Sequence, residues 1–96
     1  MSETPSHTEE SIRVFPIIGM MIEQLSTIAW VKLGLQPDPI SRRIEKDTAE
    51  AKAAIDAIAA LMPVLEQELD ADDQRQLQGL LRDLRINYVQ HSGGGE

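Results

Sequence analysis

The side chains that could do chemistry in this sequence are few and widely spaced. His7 and His91 are the only histidines, and there is no cysteine. A zinc-type site needs three or four such ligands in fixed geometry, and two histidines near opposite ends of the chain do not supply it. The acidic run Glu66, Glu68, Asp70, Asp72 and Asp73 has charge enough for calcium. It lacks the alternating oxygen ligands, central glycine and terminal glutamate of a helix–loop–helix calcium site. Capping of a following helix accounts for Asp70, Asp72 and Asp73 without an ion. Ser26 and Thr27 have no histidine nearby in sequence to act as base, and no serine sits in a sharp glycine-flanked turn. Glu23 is the one carboxylate in the most apolar stretch, on its polar side. Gly93–Gly95 follows no strand and opens no helix, so it is not a phosphate cradle. These patterns predict no enzyme, no metal and no cofactor.

The basic residues are the next candidates. Arg42, Arg43 and Lys46 fall close together, and Arg75, Arg82 and Arg85 share one side of a predicted helix. A formal net charge of −7 opposes broad binding to DNA or to an anionic membrane surface. Contact with RNA or a ribonucleoprotein through Arg42, Arg43, Arg82 and Arg85 is therefore the alternative function rather than the leading one. Trp30 and Tyr88 are the stacking candidates, and neither is interleaved with the arginines.

The elements that must position these residues are helices. A first helix spans about Ser11 to Leu33. Ser11 can cap it, and its regular part begins at Phe15 or Pro16, because Pro16 has no amide hydrogen. Gly34 ends it, and Pro37 and Pro39 hold the following connection, residues 35–46, out of helix. The second helix opens on Asp47, with Glu50 three residues on as a capping box requires. Ala51, Ile55, Ile58, Met62, Leu65 and Leu69 form its narrow apolar seam, and Pro63 predicts a kink or a break at Met62. Lys52 and Asp56 are spaced for an exposed pair. Asp70 caps the third helix, whose stripe is Leu77, Leu80, Leu81, Leu84 and Tyr88. The short turn before it makes helices two and three antiparallel. The fold class is thus all-α, a long apolar first helix on a helix two–three hairpin. Residues 11–90 make one domain, and residues 1–10 and 91–96 read as disordered tails.

Residues 1–10 have no signal-peptide pattern. Residues 17–33 approach the length of a membrane span, but Glu23, Gln24, Ser26, Thr27 and Lys32 favour a soluble helix. The lack of cysteine fits a cytoplasmic setting.

The first helix is more apolar than a hairpin partner needs. At about 100° per residue its apolar side chains cover an arc of roughly 220°, about twice what packing on one hairpin uses. Self-association through Ile17, Ile18, Met21, Ile22, Leu25, Ile28 and Val31, most simply as a two-fold homodimer, would bury the excess. Trp30 shares the polar side with Glu23 and Thr27. It packs under the Pro37–Pro39 connection or, with Arg42, Arg43, Arg82 and Arg85, faces a protein partner. The leading function is a non-catalytic, self-associating protein-interaction module.

The order and spacing of Ala29-Trp30, Leu33-Gly34-Leu35, Pro39, Asp47, Ala51-Lys52, Ile55-Asp56, Leu61, Leu80-Leu81, Leu84-Arg85 and Tyr88-Val89 carry a resemblance. They resemble a family of short bacterial proteins defined only as a domain of unknown function, DUF1844, over about Phe15 to Gln90. The resemblance implies a helical bacterial cytoplasmic protein and transfers no site residue. The chain departs from the family pattern twice, with Ser41-Arg42 where Thr-Gly is usual and Thr48 where leucine is usual.

Overall fold

The computed structural model describes residues 11–93. They form three helices, α1 (Val14–Lys32), α2 (Thr48–Glu66) and α3 (Ala71–Tyr88), closed by a π-helical turn, Val89–Gly93. There is no strand among the described residues. Of the tails expected over residues 1–10 and 91–96, residues 1–10 and 94–96 lie outside the described residues. The chain continues in regular hydrogen-bonded form beyond residue 90, where the sequence reading ends the domain. His91 Nδ1 lies 2.9 Å from the Asn87 carbonyl, and Ser92 Oγ donates to the Tyr88 carbonyl at 2.5 Å.

Each helix end has a local cause. The N-cap of α1 is Arg13, without a side-chain cap, so Ser11 does not hold the position expected for it. Pro16 falls in the first turn, where amides have no intrahelical acceptor and a missing N–H costs little. The C-terminus of α1 is a Schellman motif. Leu35 N–H donates to the Trp30 carbonyl at 3.1 Å and Gly34 N–H to that of Val31 at 3.0 Å, while Gly34 takes φ 84°, the left-handed conformation glycine adopts at no steric cost. Asp47 then joins two helices. Its N–H donates to the Lys32 carbonyl at 2.8 Å, filling one orphan acceptor of α1, and its carboxylate accepts from Glu50 N–H at 3.1 Å to cap α2.

Helix α2 runs unbroken through Pro63 to Glu66, so the break allowed for at Met62 does not occur. Pro63 lies one turn from the end and is exposed. Gln74 closes the α2–α3 turn, its amide donating to the carbonyls of Glu66 at 2.9 Å and Leu69 at 3.1 Å. Asp70 caps α3 through Asp73 N–H at 2.9 Å.

The core joins all three helices. Ile18, Ile22 and Ala29 of α1 meet Ala54, Ile55, Ile58, Met62 and Leu65 of α2 and Leu81 and Leu84 of α3, with Phe15, Leu25, Trp30, Leu77 and Tyr88 packed partly buried around them. The closest pairing is α1 with α2; α2 with α3 is looser, and α1 touches α3 least. The sequence reading had α2 spend a narrow seam mainly on α3. Ala54, off that seam, is buried as well, and this small side chain widens the α2 face so that it serves both neighbours.

Candidate interaction surfaces

The hydroxyls of Ser26 and Thr27 and four of the five carboxylates of the acidic run are engaged in structural bonds. Ser26 Oγ donates to the Glu23 carbonyl at 2.8 Å, and Thr27 Oγ1 to the same oxygen at 3.2 Å. Of the acidic run, Asp70 caps α3, Asp72 pairs with Arg75, Glu66 accepts from Gln78 at 3.0 Å, and Glu68 lies 3.8 Å from Arg13. No three His, Asp or Glu side chains gather at metal-binding distance among the described residues. Lys52 Nζ sits 2.8 Å from Asp56 Oδ2, the exposed pair the spacing predicts. That hydrogen bond, with the Asp56 charge, holds the Lys52 ammonium above the ordinary lysine range.

The residues expected to self-associate divide into two sets. Ile18, Ile22 and Val31 are buried within the chain and Leu25 is half-buried against the core, so none of these presents a free face. Ile17, Met21 and Ile28 point outward at 43%, 46% and 43% exposure, joined by Val14 at 55% and Met20 at 59%. Sequence reasoning overlooked that Val14, Ile17, Met21, Gln24, Ile28 and Val31 recur at spacings of 3, 4, 3, 4 and 3, the repeat of a helix–helix seam. This seam is a second one, beside the inward stripe of Ile18, Ile22, Ser26 and Ala29. Val31 is buried at the end where the connection folds back, so the open seam ends at Ile28. Helix α1 is also apolar and long enough for a membrane span by length and composition, with a mean hydropathy of 1.5 over its 18-residue window. A core helix of a soluble protein has the same character.

Of the partner-facing candidates, Trp30 is half-buried against the core. The connection below it turns on Asp38, whose carboxylate accepts from Ile40 N–H at 2.7 Å and Ser41 N–H at 3.2 Å. These two bonds hold the Asp38 carboxyl below its ordinary pKa. Arg42 has φ 65°, the left-handed backbone that a glycine at this family position would favour. Arg43 is held by Glu45 at 2.8 Å. Arg82 and Arg85, with Leu81, Ile86 and Val89 and with Met62 of α2, line an open groove of about 630 Å³ along α3, in which Ile86 and Val89 are themselves exposed. It continues past Arg85 and Val89 into a smaller one of about 290 Å³ beside Ile55 and Tyr88. The sequence signal for this groove was the pair Ile86 and Val89, which lie off the Leu77–Leu81–Leu84–Tyr88 stripe.

No curated protein and no solved structure matches the chain significantly. The model of the family described as a domain of unknown function, DUF1844, matches residues 16–90, well over half of the sequence. Its limits enclose α2, α3 and nearly all of α1, so the chain belongs to the DUF1844 family.

Proposed function

We propose that this chain is a non-catalytic interaction module that self-associates through the outward face of α1. The observation that carries the reading is the exposed seam of Val14, Ile17, Met21 and Ile28, flanked by Met20. Between Val14 and Val31 the only charged residue of α1 is Glu23. Five long apolar side chains left about half exposed make a patch of a few hundred Å², the size at which soluble monomers usually have a contact to cover.

The seam is self-complementary. In an antiparallel two-fold pair of α1 helices Ile17 falls opposite Ile28 of the second copy and Met21 opposite Gln24, with the axis between the last two. The antiparallel arrangement also opposes the two helix dipoles favourably. The patch is smaller than the roughly 800 Å² per partner of a standard interface, so the dimer is reversible and of micromolar strength. The engagement of Ser26, Thr27, Glu66, Glu68, Asp70 and Asp72 in structural bonds supports a non-catalytic role. A cytoplasmic setting belongs to the same proposal, supported by the cysteine-free sequence.

The absence of native cysteine permits a direct test. Gln24→Cys, beside the proposed axis, should be cross-linked to a covalent dimer by a short bismaleimide, whereas Asp83→Cys on the exposed side of α3 should not. Equal cross-linking at both positions would defeat the proposal.

A further inference from the structure

All the sulfur in this chain is methionine sulfur. The sequence holds no cysteine and four methionines, Met1, Met20, Met21 and Met62, of which Met1 lies outside the described residues. Met62 is 6% exposed within the core, whereas Met20 and Met21, consecutive on the outward side of α1, are 59% and 46% exposed. A thioether is oxidised only where the oxidant can reach its sulfur. In the monomer that condition separates Met20 and Met21 from Met62.

What oxidation does at these two positions follows from their neighbours. Met20 and Met21 share the outward patch with Val14, Ile17 and Ile28, none of which offers a side-chain donor. A sulfoxide is polar and needs a donor when it is taken out of water. The open seam holds one, the Gln24 amide. The nearby Thr27 hydroxyl already donates to the Glu23 carbonyl at 3.2 Å, and the Glu23 carboxylate can only accept. Water satisfies both sulfoxides in the monomer. In a dimer they would exchange that water for the Gln24 amides at best, and would lose the apolar contacts of the thioethers. We propose that Met20 and Met21 form a peroxide-modified site whose oxidation releases the α1 faces from one another. The inference rests on the self-association proposed above, whose reversible dimer keeps monomer available to the oxidant. Hydrogen peroxide transfers one oxygen to each sulfur. Its O–O bond breaks as the S=O bond forms, the sulfur gives up two electrons, and the other oxygen leaves with both protons as water. A dithiol reverses the step, becoming a disulfide while the sulfoxide oxygen departs as water.

The test treats the full chain with hydrogen peroxide at a concentration where it is monomeric, locates the added oxygen by peptide mass spectrometry, and compares treated and untreated protein by sedimentation velocity. Met20 and Met21 should each gain one oxygen before Met62 gains any, circular dichroism should stay unchanged, and the dimer Kd should rise by about tenfold or more. Met20→Leu with Met21→Leu keeps volume and apolar character, so this double variant should dimerise as the parent does, before and after peroxide. Because it retains Met1 and Met62, a Kd that rises on its treatment would assign the effect elsewhere and overturn the proposal. Oxidation of Met62 as fast as that of Met20 and Met21, or a loss of helicity, would overturn it too. A parent that dimerises equally with both sulfurs oxidised would overturn this inference and leave self-association standing, whereas an untreated parent that never dimerises would overturn both.

Discussion

Replacing Arg42 by glycine should make this protein more stable. Arg42 holds φ 65°, and the left-handed conformation costs a residue with a Cβ roughly 1–2 kcal/mol. Glycine removes that cost but loses about 0.5–1 kcal/mol more backbone entropy on folding. The difference leaves about 0.5–1 kcal/mol in favour of Arg42→Gly. Nothing visible offsets it, because the Arg42 side chain is exposed and has no ion pair among the described residues. The bond its N–H makes to the Asp38 carbonyl, at 2.7 Å, belongs to the backbone and survives the change. Gly34→Ala is the mirror experiment. Gly34 has φ 84°, and an added Cβ would lie 3.4 Å from Lys46 Cβ, so this variant should lose about 1–2 kcal/mol. Urea unfolding followed by circular dichroism at low micromolar concentration reads both as opposite shifts of the midpoint at constant slope. A midpoint for Arg42→Gly at or below that of the parent would refute the reasoning and assign the Arg42 side chain a stabilising contact.

The other expectations concern the core, a cap and acid. Ile58 is 0% exposed where the three helices meet, so Ile58→Ala should cost about 3–4 kcal/mol from lost burial and a residual cavity; a loss under about 1 kcal/mol would contradict this packing. Asp47→Ala should cost about 1 kcal/mol while Asp47→Asn costs little, because the bond to the Lys32 carbonyl comes from the backbone; equal losses in thermal melts would show that the cap bond is not what matters. The Asp38 carboxyl titrates below its ordinary value of 3.8, so its contribution is complete above that value and disappears as pH falls through the lowered folded one. Carboxyl-carbon NMR should place its midpoint below the ordinary aspartate value, and Asp38→Ala should flatten the acid limb of the stability profile.

The features legible in the sequence are those written in local spacing. Asp47 with Glu50, Asp70 with Asp73, and Gly34 ahead of two prolines each mark a helix end within four residues, and the structure uses each of them there. The third-helix stripe was legible for the same reason, since Leu81 and Leu84 repeat at the helical period and are buried. What escaped depends on residues brought back from a distance. Gln74 closes the α2–α3 turn by reaching eight residues back to Glu66, and no periodicity signals that. Val31 lies on the outward seam by angle yet is buried, because the connection returns to Lys32 through Asp47. Ala51 was legible as part of the α2 seam, but Ala54 lies off that seam and is buried all the same, because α1 packs there. The excess of apolar surface on α1 was visible from the arc alone; which half faced outward required the position of α2.

Sedimentation velocity over a concentration series, comparing the parent with Ile28→Glu, addresses self-association through α1 most directly. Ile28 is at the surface of the monomer, so the glutamate should leave helicity and melting of the monomer unchanged. The parent should show a reversible monomer–dimer equilibrium with a micromolar Kd, and Ile28→Glu should remain monomeric throughout. A parent that stays monomeric at millimolar concentration, or an Ile28→Glu variant that dimerises as the parent does, would contradict the account.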